Sequence, residues 1–230
     1  MCRYAHEMNA VEINSSFYRH HAARTYARWA AATPHGFRFA LKVPRLITHE
    51  QRLQCGPAPL ERFLDETSAL QEKRGPLLVQ LPPSFAFDTA TVNAFFETLR
   101  ARYEGAVVVE PRHQTWLTEE VNQLLVDFNV ARVAADPPRA SGGGVPGGSS
   151  GIAYFRLHGS PRTYWSRYNL ACIDELARSA RNAAESSTEV WCVFDNTAAG
   201  AAMENAWELA AALGHAVGPT TAKHLENGVA

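Results

Sequence analysis

Residues 107–116 read Val107-Val108-Val109-Glu110-Pro111-Arg112-His113-Gln114-Thr115-Trp116, a β-branched run that ends abruptly in charge. The run is too short for a helix and has the composition of a strand. The same transition recurs at Val11–Asn14, Phe37–Lys42, Leu77–Gln80, Ala131–Asp136, Ile152–His158 and Val190–Asn196. Each is an apolar strand whose last inward-facing residue is polar. A series of this kind predicts a ring of parallel strands delivering their ends to one shared site.

Working outward, helical spacing fills the intervals. Thr25–Ala32 reads as a short helix stopped by Pro34. Leu60, Phe63, Leu64, Thr67 and Leu70 give the buried face of a helix from Pro59 to Lys73, which Gly75-Pro76 should terminate. Asp88 and Thr118 are placed to cap the helices that follow them. A further helix carries Leu170, Ile173, Leu176 and Ala177, and an alanine-rich one runs from Ala199 to Leu213. In the strand at Phe37–Lys42, Phe37, Phe39 and Leu41, with Val43 beyond, should face the helices, leaving Ala40 and Lys42 inside. Strand–helix alternation allows an open doubly wound sheet or a closed barrel. Polar residues at every strand end favour the barrel, because in an open sheet only the ends near the switch point converge. The expected organisation is one α/β domain over residues 1–213, with a flexible Gly-rich loop at 141–151 and a loose tail over 214–230. The 141–151 loop lacks the Gly-Lys-Ser/Thr of a phosphate-binding loop.

Composition excludes several classes. A net charge of −1 leaves no footprint for extended binding to nucleic acid or an anionic membrane. The four cysteines share no CxxC spacing, so neither a disulfide framework nor a zinc ribbon is expected. No apolar run approaches the ~18 residues of a membrane span, and residues 1–6 are no signal peptide. A cytoplasmic protein is the expectation; its oligomeric state is not legible.

With these residues in view, the chain resembles the YecE-like family, domain of unknown function 72. The motifs that carry the resemblance are Val11-Glu12-Ile13-Asn14-Ser15-Ser16-Phe17-Tyr18, Lys42 through Ile47-Thr48-His49, and Gln80-Leu81-Pro82-Pro83-Ser84-Phe85. To these add Glu110-Pro111-Arg112-His113 with Trp116, Arg156-Leu157-His158-Gly159 with Tyr164 and Tyr168, and Phe194-Asp195-Asn196 with Gly200, Ala202 and Asn205-Ala206. The resemblance implies a TIM barrel and no particular reaction. It also implies a first βα unit before the helix leading into Val11–Asn14, which this chain lacks. Seven strands are expected, with exposed edges at Val11–Asn14 and Val190–Asn196, from a chain that starts upstream of Met1 or is a truncated copy. Asp195 stands where the family has Asn, and it is expected on the outer side or in the loop.

The inward set is then Glu12 and Asn14, Lys42, Gln80, Glu110 and Arg112, Asp136, Arg156 and His158, and Asn196. Charges inside a barrel are costly unless paired or bound to something. Either the set is a structural ion-pair layer or it serves a ligand. In the second case Lys42, Arg112 and Arg156 would hold a phosphate or carboxylate. Glu110 would be the general base and His158 the acid, with Lys42 as a further catalytic candidate. Asn14, Gln80, Asn196, Tyr164, Tyr168 and His49 would complete substrate binding, and Trp116 and Trp165 would join an aromatic rim. The expected function is acid–base catalysis on a small anionic substrate, without a cofactor. A divalent metal held by Glu12, Glu110, Asp136 and His158 is the rival, as a metal-dependent or nucleic-acid-directed hydrolase. A short single strand could stack on the rim beside Arg162 and Arg167. A non-catalytic binding module is third.

Overall fold

The computed structural model describes residues 2–187 and 189–215. In chain order the elements are α1 (Cys2–Ala5), β1 (Ala10–Ile13), α2 (Ser15–Tyr18), α3 (Ala23–Ala31), β2 (Arg38–Lys42), α4 (Pro57–Ser68), β3 (Arg74–Gln80), α5 (Thr89–Arg100), β4 (Val107–Glu110) and α6 (Glu119–Asp127). Then come β5 (Val130–Arg132), β6 (Ala134–Asp136), β7 (Gly147–Gly148), β8 (Ile152–Leu157), α7 (Leu170–Ser186), β9 (Glu189–Phe194) and α8 (Ala201–Ala212). Of the expected tail, Gly214 and His215 finish the turn after α8; residues 216–230 lie outside the described residues. No described helix is long and apolar enough to cross a membrane.

β1 to β5 pair in parallel and in sequence order, and β6, β8 and β9 continue the series. β5 and β6 are one strand interrupted at Val133, whose N–H donates to Val109 O at 2.9 Å. The fold is thus an α/β TIM-like barrel, with seven parallel strands among the described residues. Among the described residues β9 does not pair with β1. A cleft of about 590 Å³ lies between them, lined by Val11, Glu12, Asn14, Trp191, Phe194 and Asp195 among others.

Period two sorts the side chains. Phe37, Phe39, Leu41 and Val43 join the apolar layer under α3 to α6, as expected. Ala40, Leu78, Val108, Ala131, Val133, Ile152, Tyr154 and Trp191 fill the barrel interior. A second outer layer, with Ala153, Phe155 and Leu157, packs beneath α7 and α8. Asp88 and Thr118 cap α5 and α6 by accepting from Thr91 N at 2.9 Å and Val121 N at 3.3 Å.

Two local expectations need correction. Gly75-Pro76 do not stop α4, which ends at Ser68. They lie inside β3, where Gly75 lets the indole of Trp191 approach to within 3.0 Å of the position a Cβ would take. The Gly-rich segment also supplies β7, antiparallel to β5. There Gly148 takes φ +67°, and a Cβ would fall 2.4 Å from Val130 O, so the pairing requires glycine.

Candidate functional site

Above the apolar interior the strands end in a buried layer of charge. Arg156, in phase with Tyr154 on β8, sits at its centre. Its Nη2 donates to Glu12 Oε1 at 2.7 Å and lies 3.0 Å from Asp195 Oδ2, Nε donates to Glu12 Oε2 at 3.0 Å, and Nη1 to Glu110 Oε2 at 3.1 Å. Asn14 Oδ1 is at 3.5 Å from Nη2, and Tyr154 OH donates to Glu12 Oε2 at 2.9 Å. Glu12 on β1 is thereby joined to β8, across the circumference from its backbone partner β2.

Glu110 is the most heavily engaged acid. Besides Arg156 it accepts from Gln80 Nε2 at 2.8 Å and from Arg112 Nε at 3.0 Å and Nη2 at 2.9 Å, and its Oε1 lies 3.2 Å from His158 Nε2. Burial pushes its pKa up, but Arg156, then the hydrogen bond to His158, then Arg112 outweigh burial and hold it well below the usual carboxylate range.

His158 spans two carboxylates, with Nε2 toward Glu110 and Nδ1 at 3.2 Å from Asp195 Oδ2. Burial lowers its pKa, yet the hydrogen bonds to Asp195 and Glu110 prevail and raise it. An imidazole whose two nitrogens both face carboxylates is held as imidazolium. Asp195 is pushed up by burial and pulled down further by His158 and Arg156, so it stays ionised. Its side chain is 17% exposed against 1% for Glu110, so it is the carboxylate of this pair that meets solvent.

Lys42 ends β2 in the same layer. Its Nζ lies 4.1 Å from the centroid of the Phe17 ring, and among the described residues it forms no ion pair. Burial first, and Arg156 next, lower its pKa to about 8. His49, in the π-helical turn Leu46–Glu50, packs edge-on against Phe17 and bonds Thr48 Oγ1 at 2.9 Å. Burial, then Lys42, then Arg112 lower its pKa to about 4, so it is neutral beside two cations.

The layer thus brings together Glu12, Asn14, Lys42, Gln80, Glu110, Arg112, Arg156 and His158, with His49 at its edge. Tyr164 is half-exposed, with its ring edge-on to His158 at 5.9 Å between centroids. Others fall elsewhere. Tyr168 is buried, its OH donating to Asp136 O and accepting from Gly159 N, both at 2.9 Å, so it ties the loop down rather than meeting a ligand. Asn196 Nδ2 donates to Ser166 O at 2.9 Å and Asn205 Oδ1 at 3.0 Å, tying the same loop to α8. Trp116 is fully buried with Nε1 donating to Phe85 O at 2.9 Å; it is core, not rim.

Asp136 was expected inside. Counting by two from Ala131 and Val133, which line the interior, places it outside, where it lines a cleft with Cys172 and Glu175 of α7. Asp195 was expected on the outer side or in the loop; it lies just past β9, yet its side chain joins Arg156 and His158. The signals available for it were its phase with Trp191, which lines the interior, and charge balance: an inward Arg and His on β8 need acids nearby. Arg167 pairs with Glu204 and Glu208, and Arg162 stacks on Trp165 at 4.2 Å, so the rim's cations have protein partners already.

A family model described as "Protein of unknown function DUF72" matches residues 1–227. The chain is 33% identical over 139 residues to the UPF0759 protein YecE of Escherichia coli K12, a match covering 58% of this chain and 50% of that one. It therefore spans about half the length of that relative. To the UPF0759 protein YunF of Bacillus subtilis 168 it is 22% identical over 233 residues, 88% of this chain and 82% of the other. Among solved structures, a DUF72 family protein of Enterococcus faecalis V583 superposes with a TM-score of 0.83 at 22% identity, covering 96% of this chain and 91% of that one. One from Thermotoga maritima MSB8 gives 0.75 at 25% identity over 90% and 85%.

Proposed function

Because the chain belongs to the DUF72 family, whose description assigns no reaction, we propose a function from the site itself: acid–base chemistry on a small phosphate- or carboxylate-bearing substrate. The observation that carries this is the charge of the layer. Glu12, Glu110 and Asp195 are each satisfied by Arg156, Arg112 or the His158 imidazolium, which leaves Lys42 without an ion-pair partner among the described residues. Arg112 adds to it: Nε and Nη2 bind Glu110, and Nη1 donates to no described residue. Two cations that together disfavour protonation of His49 make a local positive field, the kind that captures an anion.

The roles differ from those the residue types alone imply. Glu110 is ionised and has its oxygens filled, so it serves as the anchor that fixes Arg112, Arg156 and His158, not as a base. His158 is the acid, and Asp195, its more exposed partner, is the carboxylate through which a proton passes to or from substrate. The donor set does not fit a divalent ion, because the guanidinium of Arg156 already occupies the space among Glu12, Glu110 and Asp195.

The test is thermal unfolding of the whole chain in phosphate, pyruvate or lactate against chloride at matched ionic strength. A specific rise in melting temperature is expected, and Arg112→Ala should abolish it while the variant still unfolds cooperatively. Equal melting in all salts, or an undiminished rise in the variant, refutes the assignment.

A further inference from the structure

Lysine is scarce in this chain. Lys42, Lys73 and Lys223 are the three among 22 basic Lys and Arg residues; the rest are arginine. Lys73 has a structural task, donating to Ala30 O and Thr33 O at 2.7 Å each and lying 3.3 Å from Thr33 Oγ1. Lys223 lies outside the described residues. Among the described residues Lys42 Nζ has no ion-pair or hydrogen-bond partner: the residue is only 7% exposed, held over the Phe17 ring, in a layer whose ion pairing is done by Arg112 and Arg156. Arginine would supply the same charge with more hydrogen bonds. What lysine does that arginine cannot is release its proton and offer an electron pair.

We propose that Lys42 is a nucleophilic amine that forms an imine with a small aldehyde or ketone carrying a carboxylate or phosphate. The proposal rests on the anion site described above, with Arg112 Nη1 holding the charged group while the carbonyl meets Nζ. The neutral amine attacks the carbonyl carbon. A C–N bond forms, and the π pair of the carbonyl moves to its oxygen, which takes a proton from the His158–Asp195 pair while the nitrogen, now positively charged, returns one of its protons to that pair. The carbinolamine oxygen takes this proton back, the C–O bond breaks as water leaves, and the nitrogen pair closes the C=N bond to give the protonated imine, which yields the imine when it releases its N–H proton to the pair. Amine plus carbonyl gives imine plus water, with no oxidant or reductant consumed. The resulting iminium draws electrons from the adjacent carbon, which is the bond an acid–base pair would then use. Burial of Lys42 supports the step: with the ammonium lowered to about 8 from 10.5, the free amine at pH 8 exceeds that of an ordinary lysine on the order of a hundredfold.

The experiment incubates the full chain at pH 8 with pyruvate and sodium borohydride, which reduces an imine to a stable secondary amine. Intact mass and peptide mapping then locate the adduct, with Lys73 and Lys223 as internal references. Among the lysines the adduct is expected at Lys42, at about tenfold or more over either reference, and no lysine adduct at that level in Lys42→Arg. Absence of a Lys42 adduct, or equal labelling of Lys42 and Lys223, overturns the proposal. Two further arms separate it from the anion-site reading. If lactate and pyruvate both raise the melting temperature but no adduct forms, the imine fails and the anion site stands. If acetone, a ketone without the charged group, labels Lys42 as fast as pyruvate does, the imine stands and the anion site falls. Because the decisive mapping is done on the unmodified chain, it does not depend on the variant folding.

Discussion

Replacing Arg156 with methionine removes the centre of the charged layer while keeping a side chain of similar length. Its consequences are unequal. Glu110 would keep Arg112, Gln80 and His158, and Asp195 would keep His158, but Glu12 would be left with the hydroxyl of Tyr154 alone. The side chain of Glu12 is 2% exposed, so it cannot turn to water. Breaking a buried pair by removing one partner costs about 3–5 kcal/mol, a large part of a domain's ~5–15 kcal/mol. Urea unfolding followed by tryptophan fluorescence should show this as a midpoint lowered by about 1–2 M, for a slope of ~3 kcal/mol/M. Adding Glu12→Gln to Arg156→Met identifies the cause, because it removes the stranded buried charge and should recover most of the loss. A midpoint within error of the unmodified protein, or a deficit that Glu12→Gln leaves unchanged, would refute the reasoning.

Three further outcomes are expected. His158 has a folded pKa raised above its unfolded ~6.5, so its contribution is full below pH 6.5 and is lost as pH rises through the folded value; urea melts from pH 6.5 to 8 should lose that decline in His158→Asn. Lys42 acts in the opposite sense over a higher window. With a folded pKa lowered to about 8, it makes stability grow as pH rises from 8 toward 10.5, and Lys42→Met should remove that growth. Gly159 holds φ +92°, and a Cβ there would sit 2.9 Å from Ser166 O and 3.1 Å from Asn196 Cβ. Gly159→Ala should cost about 1–3 kcal/mol, read as a melting temperature lower by roughly 3–10 °C.

The residues that could be placed from sequence are those inside well-formed strands. Period two put Ala40 and Lys42 on one face of β2 and Phe39 and Leu41 on the other, and it put Arg156 in phase with Tyr154. It failed at β9, where the phase was taken the wrong way round. Trp191 and Val193 face the interior and Val190, Cys192 and Phe194 the helices, so alternation carried one residue past the strand points Asp195 inward, onto Arg156 and His158, and Asn196 away. Asp136 failed differently: polarity at a strand end was taken as evidence of facing inward, against the phase set by Ala131 and Val133. Trp116 and Tyr168 lie beside charged motifs in sequence, but burial depends on which helices and loops cover them, and no local pattern encodes that. The sequence also showed that acids and bases share one layer without showing which binds which. That pairing is the reason the proposed proton-transfer role passes from Glu110 to Asp195.

The unpaired seam between β9 and β1 has a mechanical consequence. A closed barrel cannot widen without breaking a ladder, whereas a split ring can spring apart by bending alone. Two ionic clasps restrain it here. Below, Arg38 reaches Glu189 at 3.6 Å with both side chains about one-third exposed; above, Glu12 grips Arg156 out of reach of solvent. Salt weakens the lower clasp and leaves the upper one largely intact. The bottom of the seam is therefore the end that salt should loosen, and the layer that holds the site the end that it should spare. The same two side chains that set the electrostatics of the site also bridge the seam, so a change at Glu12 or Arg156 bears on closure as well as on charge.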